Sequence, residues 1–362
     1  MRKILFGGAF NPIHEGHILM AKAASVQFDA DVIFIPAVIS VWKDDSVSFE
    51  HKMNMVKLLI KDEKRFSVSN YENTTGKDKN FSIDTVKHFK RVYPNDELFL
   101  LIGGDQVRDF HMWKEAEELS ELAQIIYYSR EDFEDNSPNI NKYKMKMVKG
   151  EDINISSSGF RCMKAYNHMP YDLVEYITRN DLYMLHDVKK RLSSHRYEHS
   201  KEVALLAYRI ALENNIKDPL KAFYAGLLHD IGKEVHKPIA EQIMTNHFSD
   251  YSDLPQFSYH QFIGSYIAKD EFEMPEDVVE AIEFHATGKY PMSDLGKIIY
   301  AADKIEPTRG FDSSDLVESC LKNYEKGFIE VLAANKEFLE KNRGDINNRL
   351  TKSCFDNYLT LK

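Results

Sequence analysis

Cysteine is nearly absent from this 362-residue chain: Cys162, Cys320 and Cys354 are scattered, odd in number and lack metal-ligand spacing. That argues against a disulfide framework or a zinc finger and suits a reducing compartment. Long apolar runs are missing too. No stretch approaches the ~20 residues of a membrane span, and the N-terminus enters a strand after Met1-Arg2-Lys3 with no signal-peptide core. A cytoplasmic protein with no membrane partner is expected. Basic residues are in deficit, with 47 Lys and Arg against 57 Asp and Glu and a net charge of −10. Nucleic acid is therefore not an expected partner, since binding it relies on Lys/Arg-rich surfaces. Any polyphosphate partner must be held by local donors or metals.

What is present is globular. The hydrophobic fraction of 43% and charged fraction of 29% are those of a folded soluble chain. Its length exceeds what one core fills, so two domains are expected. In the first half, apolar strands at 3–6, 31–36, 66–69, 98–102 and 124–128 alternate with helices such as 49–61 and 82–91, the rhythm of a parallel sheet with crossovers. The polar stretch 132–144 reads as a loop or edge connection. From about Asp187 strand signals vanish and helical periodicity runs to the C-terminus, which sets the domains at 1–186 and 187–362.

Residues 4–18, ILFGGAFNPIHEGHI, carry the densest chemistry of the first half. A strand runs into Gly7-Gly8, whose missing side chains let backbone N–H groups approach an anion; Phe10 and Asn11 lead to Pro12, which stiffens the turn. His14 and His17 stand at the start of a helix predicted over 18–27, where imidazole donors and the helix dipole favour the same negative group. A plain strand-to-helix turn with two surface histidines is the alternative. Two imidazoles flanking a glycine have little purpose in such a turn, so a nucleotide phosphate is the favoured partner.

Three further segments follow in order: FSIDTVKHF at 81–89, LLIGGDQVRDFHMW at 100–113 and ISSSGFR at 155–161. With the H-x-G-H turn they resemble the bacterial nicotinate-nucleotide adenylyltransferases over roughly residues 1–185. The resemblance implies a Rossmann-like α/β domain with a parallel sheet, binding ATP with Mg²⁺ and nicotinate mononucleotide. It implies that His14 and His17 contact the ATP phosphates, that Arg161 with Ser156 and Ser157 holds the outer phosphates, and that Asp105 after Gly103 contacts nucleotide. Thr85 and Trp113 match the pyridine side of the pocket; the structural alternatives are plain core for Trp113 and simple helix capping for the serine run 156–158. Where the family often has Pro-His-Lys, this chain has Val41-Trp42-Lys43, so only Lys43 is matched. No nucleophilic side chain is required, because a nucleotide phosphate is itself a nucleophile once aligned.

In the second half, His229-Asp230 interrupts the apolar run AGLLHDIGK, and buried charged groups need a partner or a metal. His199, His260, His285 and Asp303 complete a set on or beside predicted helices. Four histidines and two carboxylates are too many for one tetrahedral ion but suit two, about 3.5–4 Å apart with a bridging carboxylate. Such a site makes a hydroxide near neutral pH and clamps phosphate oxygens. The ordered set resembles the all-α HD phosphohydrolase superfamily, and LLHDIGK with ADKIEPTR resembles the bacterial subgroup that cleaves diadenosine tetraphosphate to two ADP. That resemblance implies Lys233 and Arg309 as phosphate-facing; a solvated Lys233 and an Arg309 paired with Glu306 are the structural alternatives. Mixed N/O ligands fit two transition-metal ions, iron or manganese. The other eight histidines match no motif and are assigned to surface or packing.

The whole reads as a bifunctional enzyme: adenylylation of nicotinate mononucleotide joined to a dinuclear hydrolase of dinucleoside polyphosphates. The rival keeps both folds with another acceptor nucleotide and a nucleotide monophosphatase or dNTP hydrolase. A second rival is a nucleotide sensor that does not turn over.

Overall fold

The structure, a computed structural model, describes residues 1–38, 47–77, 79–129, 137–150 and 156–360. It contains two compact units, Met1–Gly159 and Phe160–Lys362. The division lies earlier than the 186/187 boundary expected from loss of strand signals. Residues just after 160 are committed to the helices downstream: the Tyr208 hydroxyl accepts from the Met169 amide at 2.9 Å, and the Tyr224 hydroxyl donates to the Ala165 carbonyl at 2.9 Å.

The first unit is built on a six-stranded parallel sheet: β1 Arg2–Gly8, β2 Asp31–Pro36, β3 Phe66–Val68, β4 Glu97–Gly103, β5 Gln124–Tyr128 and β6 Lys146–Val148. Its order is β3-β2-β1-β4-β5-β6. The central strands are apolar on both faces because helices cover both; Ile4, Leu5 and Leu98 through Ile102 are all buried. Register pairs Gly7 with Ile35 and Gly8 with Pro36, and Leu5 with Leu100. The order reverses between β1 and β4, and open α/β sheets bind ligands in the crevice at the carboxyl ends of such strands. Here those ends are Gly7-Gly8 and Gly103-Gly104.

Five of the strands lie where the alternation placed them. The sixth, Lys146–Val148, was not expected, and the stretch read as a loop before it contains the helix Pro138–Lys142. The sequence there is polar, yet Asn139 is buried and its amide donates to the Val107 and Arg108 carbonyls at 2.9 Å each. The side chain replaces solvent as partner for those carbonyls, so a polar residue packs inside.

The second unit is helical throughout its described residues. The 20-residue helix Ser194–Glu213 packs on Leu220–Leu228 and Asp294–Ile305, with Tyr259–Asp270 and Glu276–Glu283 beside them. Toward the C-terminus, Tyr300, Phe328, Leu332, Cys354 and Phe355 form a further core. Cys320 and Cys354 are buried packing residues with thiols pushed up to about 12 by burial, whereas Cys162 is exposed. Among the described residues no helix is long and apolar enough to cross a membrane.

Candidate functional site

The helix after β1 begins at Glu15, three residues before the expected start. His14 is its extended N-cap at φ −146°, and His17 falls in its first turn. The His14 amide donates to His17 Nδ1 at 3.3 Å, and the His17 amide donates to the His14 carbonyl at 2.9 Å. A neutral imidazole that accepts at Nδ1 carries its proton on Nε2, so His17 presents a donor on the side away from the backbone. The two rings lie 3.9 Å apart between centroids, with His14 the more buried. Both imidazoles thus share a helix N-terminus, where unsatisfied N–H groups already favour an anion.

Around this pair the structure places the other predicted residues unequally. Gly7 and Gly8 belong to β1 rather than to a free turn. Phe10 is buried at φ +44° and stands edge-on to His17 at 5.2 Å, so it props the imidazole from behind. Asn11 is buried, and its peptide bond to Pro12 is cis. Ser157 joins the same turn by donating to the Pro12 carbonyl at 2.8 Å; Ser156 accepts from the Gly159 amide at 3.0 Å, a capping role. Arg161 ends the helix Ser157–Arg161, within which the two units divide. Asp105 is exposed just past the end of β4, with its carboxylate folded back over Gly103. Trp113 is half-buried against Phe110 at 5.1 Å on the core. Lys43 lies outside the described residues.

Two residues that the sequence did not single out sit behind Thr85. Thr85 is buried and its hydroxyl donates to Glu72 Oε1 at 3.4 Å. Burial pushes the Glu72 carboxyl up to about 7, against bonds from Thr85 and the Val38 backbone and the charge of Lys52. Lys52, fully buried, donates from Nζ to the carbonyls of Ala37 and Val38 at 3.1 and 3.2 Å, just past β2.

In the helical unit all six predicted ligands converge. His229, His260 and His285 each donate from Nδ1 to the backbone carbonyl three residues earlier, Gly226, Phe257 and Ile282, at 2.7 Å in every case. Each ring is thereby fixed with a lone pair on Nε2. Those lone pairs face inward: Asp230 Oδ1 lies 3.7, 3.4 and 3.6 Å from Nε2 of His229, His260 and His285. His260 and His285 bring Nε2 to within 3.2 Å of each other, two acceptors in opposition. His229 Nε2 is buried with no hydrogen-bond partner among the described residues. His199 completes the ring with Nε2 3.2 Å from Asp303 Oδ1 and Nδ1 3.0 Å from Glu306 Oε1. Three overlapping groups, His199-His229-Asp230, His229-His285-Asp303 and Asp230-His260-His285, have ligand atoms within 4.8 Å of one another.

Converging imidazole lone pairs, ionised carboxylates and an orphaned buried nitrogen are the donor set a cation satisfies, so the residues fit a metal centre. Burial opposes ionisation of Asp230, yet His229 and His285 hold it well below the usual carboxylate range. Asp303, likewise buried, is held down by Lys304 and His199. Glu306, expected only as a partner for Arg309, instead orients His199 as carboxylate partners orient metal-bound imidazoles.

A cavity of 560 Å³ opens over the cluster, lined by Arg196, Lys233, Lys304 and Arg309 as well as the carboxylates. Lys233 Nζ lies 3.7 Å from Asp230. Arg309 pairs with Asp303, not with Glu306 as its alternative reading had it, because Glu306 is taken by His199 and Thr308. His195, assigned to the surface, also lines this cavity.

Comparison with known proteins matches both units. Residues 5–163 match the Cytidylyltransferase-like family and residues 196–308 the HD domain family. A protein of Mycoplasma genitalium described as a "probable nicotinate-nucleotide adenylyltransferase/Ap4A hydrolase" is 30% identical, with 91% of this chain and 96% of that protein aligned. An Aquifex aeolicus protein described as a "probable nicotinate-nucleotide adenylyltransferase" is 37% identical over 42% of this chain and 91% of its own length. A Clostridium acetobutylicum crystal structure, described as a "predicted HD superfamily hydrolase involved in NAD metabolism", shares 30% identity over 52% of this chain and 97% of that one, with a TM-score of 0.42. The chain therefore belongs to the family of two-part nicotinate-nucleotide adenylyltransferase/Ap4A hydrolase proteins, with a cytidylyltransferase-like first half and an HD domain in the second.

Proposed function

We propose that the first unit transfers the adenylyl group of ATP to nicotinate mononucleotide, giving deamido-NAD and pyrophosphate, and that the second hydrolyses diadenosine tetraphosphate to two ADP. For the first reaction the supporting observation is the paired His14 and His17 at a helix N-terminus. A phosphate oxygen of the mononucleotide bonds to the α-phosphorus of ATP as the bridging P–O bond to the β-phosphate breaks. ATP enters as its Mg²⁺ complex, and pyrophosphate leaves. The His17 Nε2–H and the helix N–H groups stabilise the charge that gathers on the phosphoryl oxygens, and in a site with no nucleophilic side chain that stabilisation accounts for most of the rate. Arg161, Ser156 and Ser157 would hold the outer phosphates. Asp105, Gly103 and Lys43 would contact nucleotide, and Thr85 and Trp113 the pyridine side.

For the second reaction the convergence of four imidazoles and two carboxylates carries the reading. His199, His229, Asp230, His260, His285 and Asp303 would hold two transition-metal ions, iron or manganese. When bound, such a pair lowers the pKa of water and polarises phosphate oxygens. Arg196, Lys233, Lys304 and Arg309 line the cavity above and bind the phosphate chain. Water adds at one of the two central phosphorus atoms, the bridging P–O bond between them breaks, and each half leaves as ADP.

The test is to give purified full-length protein ATP with a panel of mononucleotides, and separately dinucleoside polyphosphates, nucleoside monophosphates and dNTPs. Deamido-NAD and two equivalents of ADP per tetraphosphate are expected. Preference for another acceptor, or monophosphate release in place of ADP, overturns the corresponding half. Nucleotide binding with no product from either unit would make the protein a sensor.

A further inference from the structure

Glu72 is a carboxyl that the phosphate chemistry of neither unit uses, and it stands beside the crevice end of the sheet. The Ala37 amide donates to the Gly8 carbonyl at 2.9 Å, which ties the chain just past β2 to the end of β1. The next residue, Val38, gives its backbone N–H to the Glu72 carboxyl, and the Thr85 hydroxyl reaches the same carboxyl at 3.4 Å. Glu72 is pinned through its backbone as well: its carbonyl accepts from Asn80 Nδ2 at 3.0 Å and from Thr75 Oγ1 at 2.9 Å, and the neighbouring Tyr71 hydroxyl donates to the Asp84 carbonyl at 3.4 Å. Lys114 Nζ lies 4.9 Å over the ring of Phe81, the cap of the helix Ser82–Val92, so Trp113 and Thr85 belong to neighbouring segments. Among the described residues, the nearby titratable groups come from three elements. Lys52 on the helix Phe49–Ile60 favours the ionised carboxyl, Asp84 is paired with Lys77 at 3.6 Å, and His88 stacks on Tyr71 at 3.8 Å.

We propose that Glu72 is a positioning residue of the acceptor pocket: through the proton it shares with Thr85, it decides whether Thr85 offers the substituent of the pyridine ring a donor or a lone pair. The proposal rests on the reading that Thr85 faces the pyridine side. A hydroxyl has one proton and two lone pairs, while an ionised carboxylate only accepts. Beside an ionised Glu72, Thr85 must donate its proton to the carboxylate, and the substrate meets lone pairs alone. A protonated Glu72 accepts from Val38 on one oxygen and donates to Thr85 from the other, so the Thr85 proton turns outward. A carboxamide meets either form, by its carbonyl oxygen or its N–H; the carboxylate of nicotinate meets only the donor. The ionised carboxyl also repels a second anion, so both effects have one sign. Burial pushes the Glu72 carboxyl up to about 7, which populates both forms near neutral pH. The choice between carboxylate and carboxamide is thus set by one proton held behind the pocket.

The test measures dinucleotide synthesis by the full-length protein from nicotinate and from nicotinamide mononucleotide, with ATP and Mg²⁺, over roughly pH 5.5–8.5, a range that brackets the Glu72 titration. The quantity read is the ratio of the two kcat/KM values, in which titration of the phosphate common to both acceptors cancels. It should fall about tenfold or more from acid to base, the usual effect of losing one hydrogen bond to a charged group, through a rise in KM for nicotinate mononucleotide. Glu72→Gln, whose amide donates to Thr85 as the protonated carboxyl does, should hold the ratio at its acid value throughout. Thr85→Val, which keeps the shape and removes the hydroxyl, should make it independent of pH. A loss of packing alone would lower both acceptors together and leave the fall with pH in place. A wild-type ratio that does not move with pH, or a ratio in either variant that falls in parallel with wild type, would overturn the inference. Transfer to some other mononucleotide and to neither of these two would instead retire the acceptor reading itself.

Discussion

Gly232→Ala is the sharpest probe of how the proposed metal ligands are held. Gly232 follows His229-Asp230 and lies against the start of the helix Tyr259–Asp270; a Cβ there would meet the His260 carbonyl and, at 2.6 Å, the Gly264 amide nitrogen. Both obstacles are backbone, so no rotamer relieves the clash. Restoring an ordinary contact of 3.4 Å to the Gly264 nitrogen alone requires the two segments to separate by about 0.8 Å, and the nearer His260 carbonyl requires more. Overpacking of this kind costs about 1–3 kcal/mol, which in a unit of this size lowers Tm by roughly 2–4 °C per kcal/mol. The same displacement moves His260 relative to His229 and Asp230, and ligand sets tolerate only about 0.5 Å before losing function. Metal affinity should then fall about 10–100-fold, as it does when supporting contacts of a metal site are lost. Gly264→Ala is the control in the same interface: its Cβ would sit 3.3 Å from the His229 carbonyl and 3.5 Å from its other neighbours, and alanine gains helix propensity of up to ~1 kcal/mol. Metal content by mass spectrometry after equilibration with a competing chelator, together with thermal unfolding, separates the two variants. A Gly232→Ala protein that keeps its metal and Tm while Gly264→Ala loses them would show that close backbone approach at Gly232 is not what holds the ligands.

Other outcomes follow from the same geometry. His17→Ala should lower kcat for adenylyl transfer by about 10²–10³, the usual effect of losing one preorganised donor, while tetraphosphate hydrolysis stays within twofold; equal loss of both activities would mean misfolding. Asp230→Asn should do the reverse, reducing bound metal and hydrolysis while leaving dinucleotide synthesis intact, and retention of two metal equivalents would contradict the ligand assignment. Glu72, raised by burial from 4.5 to about 7, favours the protonated form in the folded state. Its contribution is therefore complete below pH 4.5 and is lost as pH rises through 7, by on the order of 2–3 kcal/mol. Glu72→Gln should remove that slope and stabilise the protein at pH 8. Urea unfolding followed by tryptophan emission reads the first half, since Trp42 and Trp113 both lie there; parallel wild-type and variant profiles between pH 5 and 8 would refute it.

The features legible in the sequence were those whose cause is local or periodic. β1, β2, β4 and β5 are runs of apolar residues buried on both faces, so composition alone marks them. β6 has three residues, one of them Lys146, and carries too little pattern to stand out. The helix at Glu15 was placed late because its first turn holds Glu15, Gly16 and His17, poor in apolar residues, while His14 fills the cap position usually given to Ser, Thr, Asp or Asn. At the six-residue cluster His229-Asp230 and Asp303 stood out because they interrupt apolar helices, whereas His199 lies in a polar stretch and was visible only as a member of the ordered set. The backbone carbonyls that fix three imidazoles were not, since any residue three positions back would supply one. Glu72 and Lys52 were invisible for a different reason. Their partners Thr85, Ala37 and Val38 are brought together only by the fold, and in sequence they read as an ordinary glutamate and one lysine of an amphipathic helix. Arg196, three residues before His199 on the same helix, had a signal that could have been used: it shares the face that carries the ligand.

The strands at either margin of the sheet, Phe66–Val68 and Lys146–Val148, are three residues each, while the two at the centre have seven. A marginal strand offers its open row of amides and carbonyls to any extended segment that drifts past, including one from a second, partly folded copy. Three residues make too short a template for such pairing to hold. The sheet thus tapers toward both sides, and the same taper that leaves β1 and β4 long enough to carry glycine ends into the crevice leaves nothing at the margins on which a neighbouring chain could continue it.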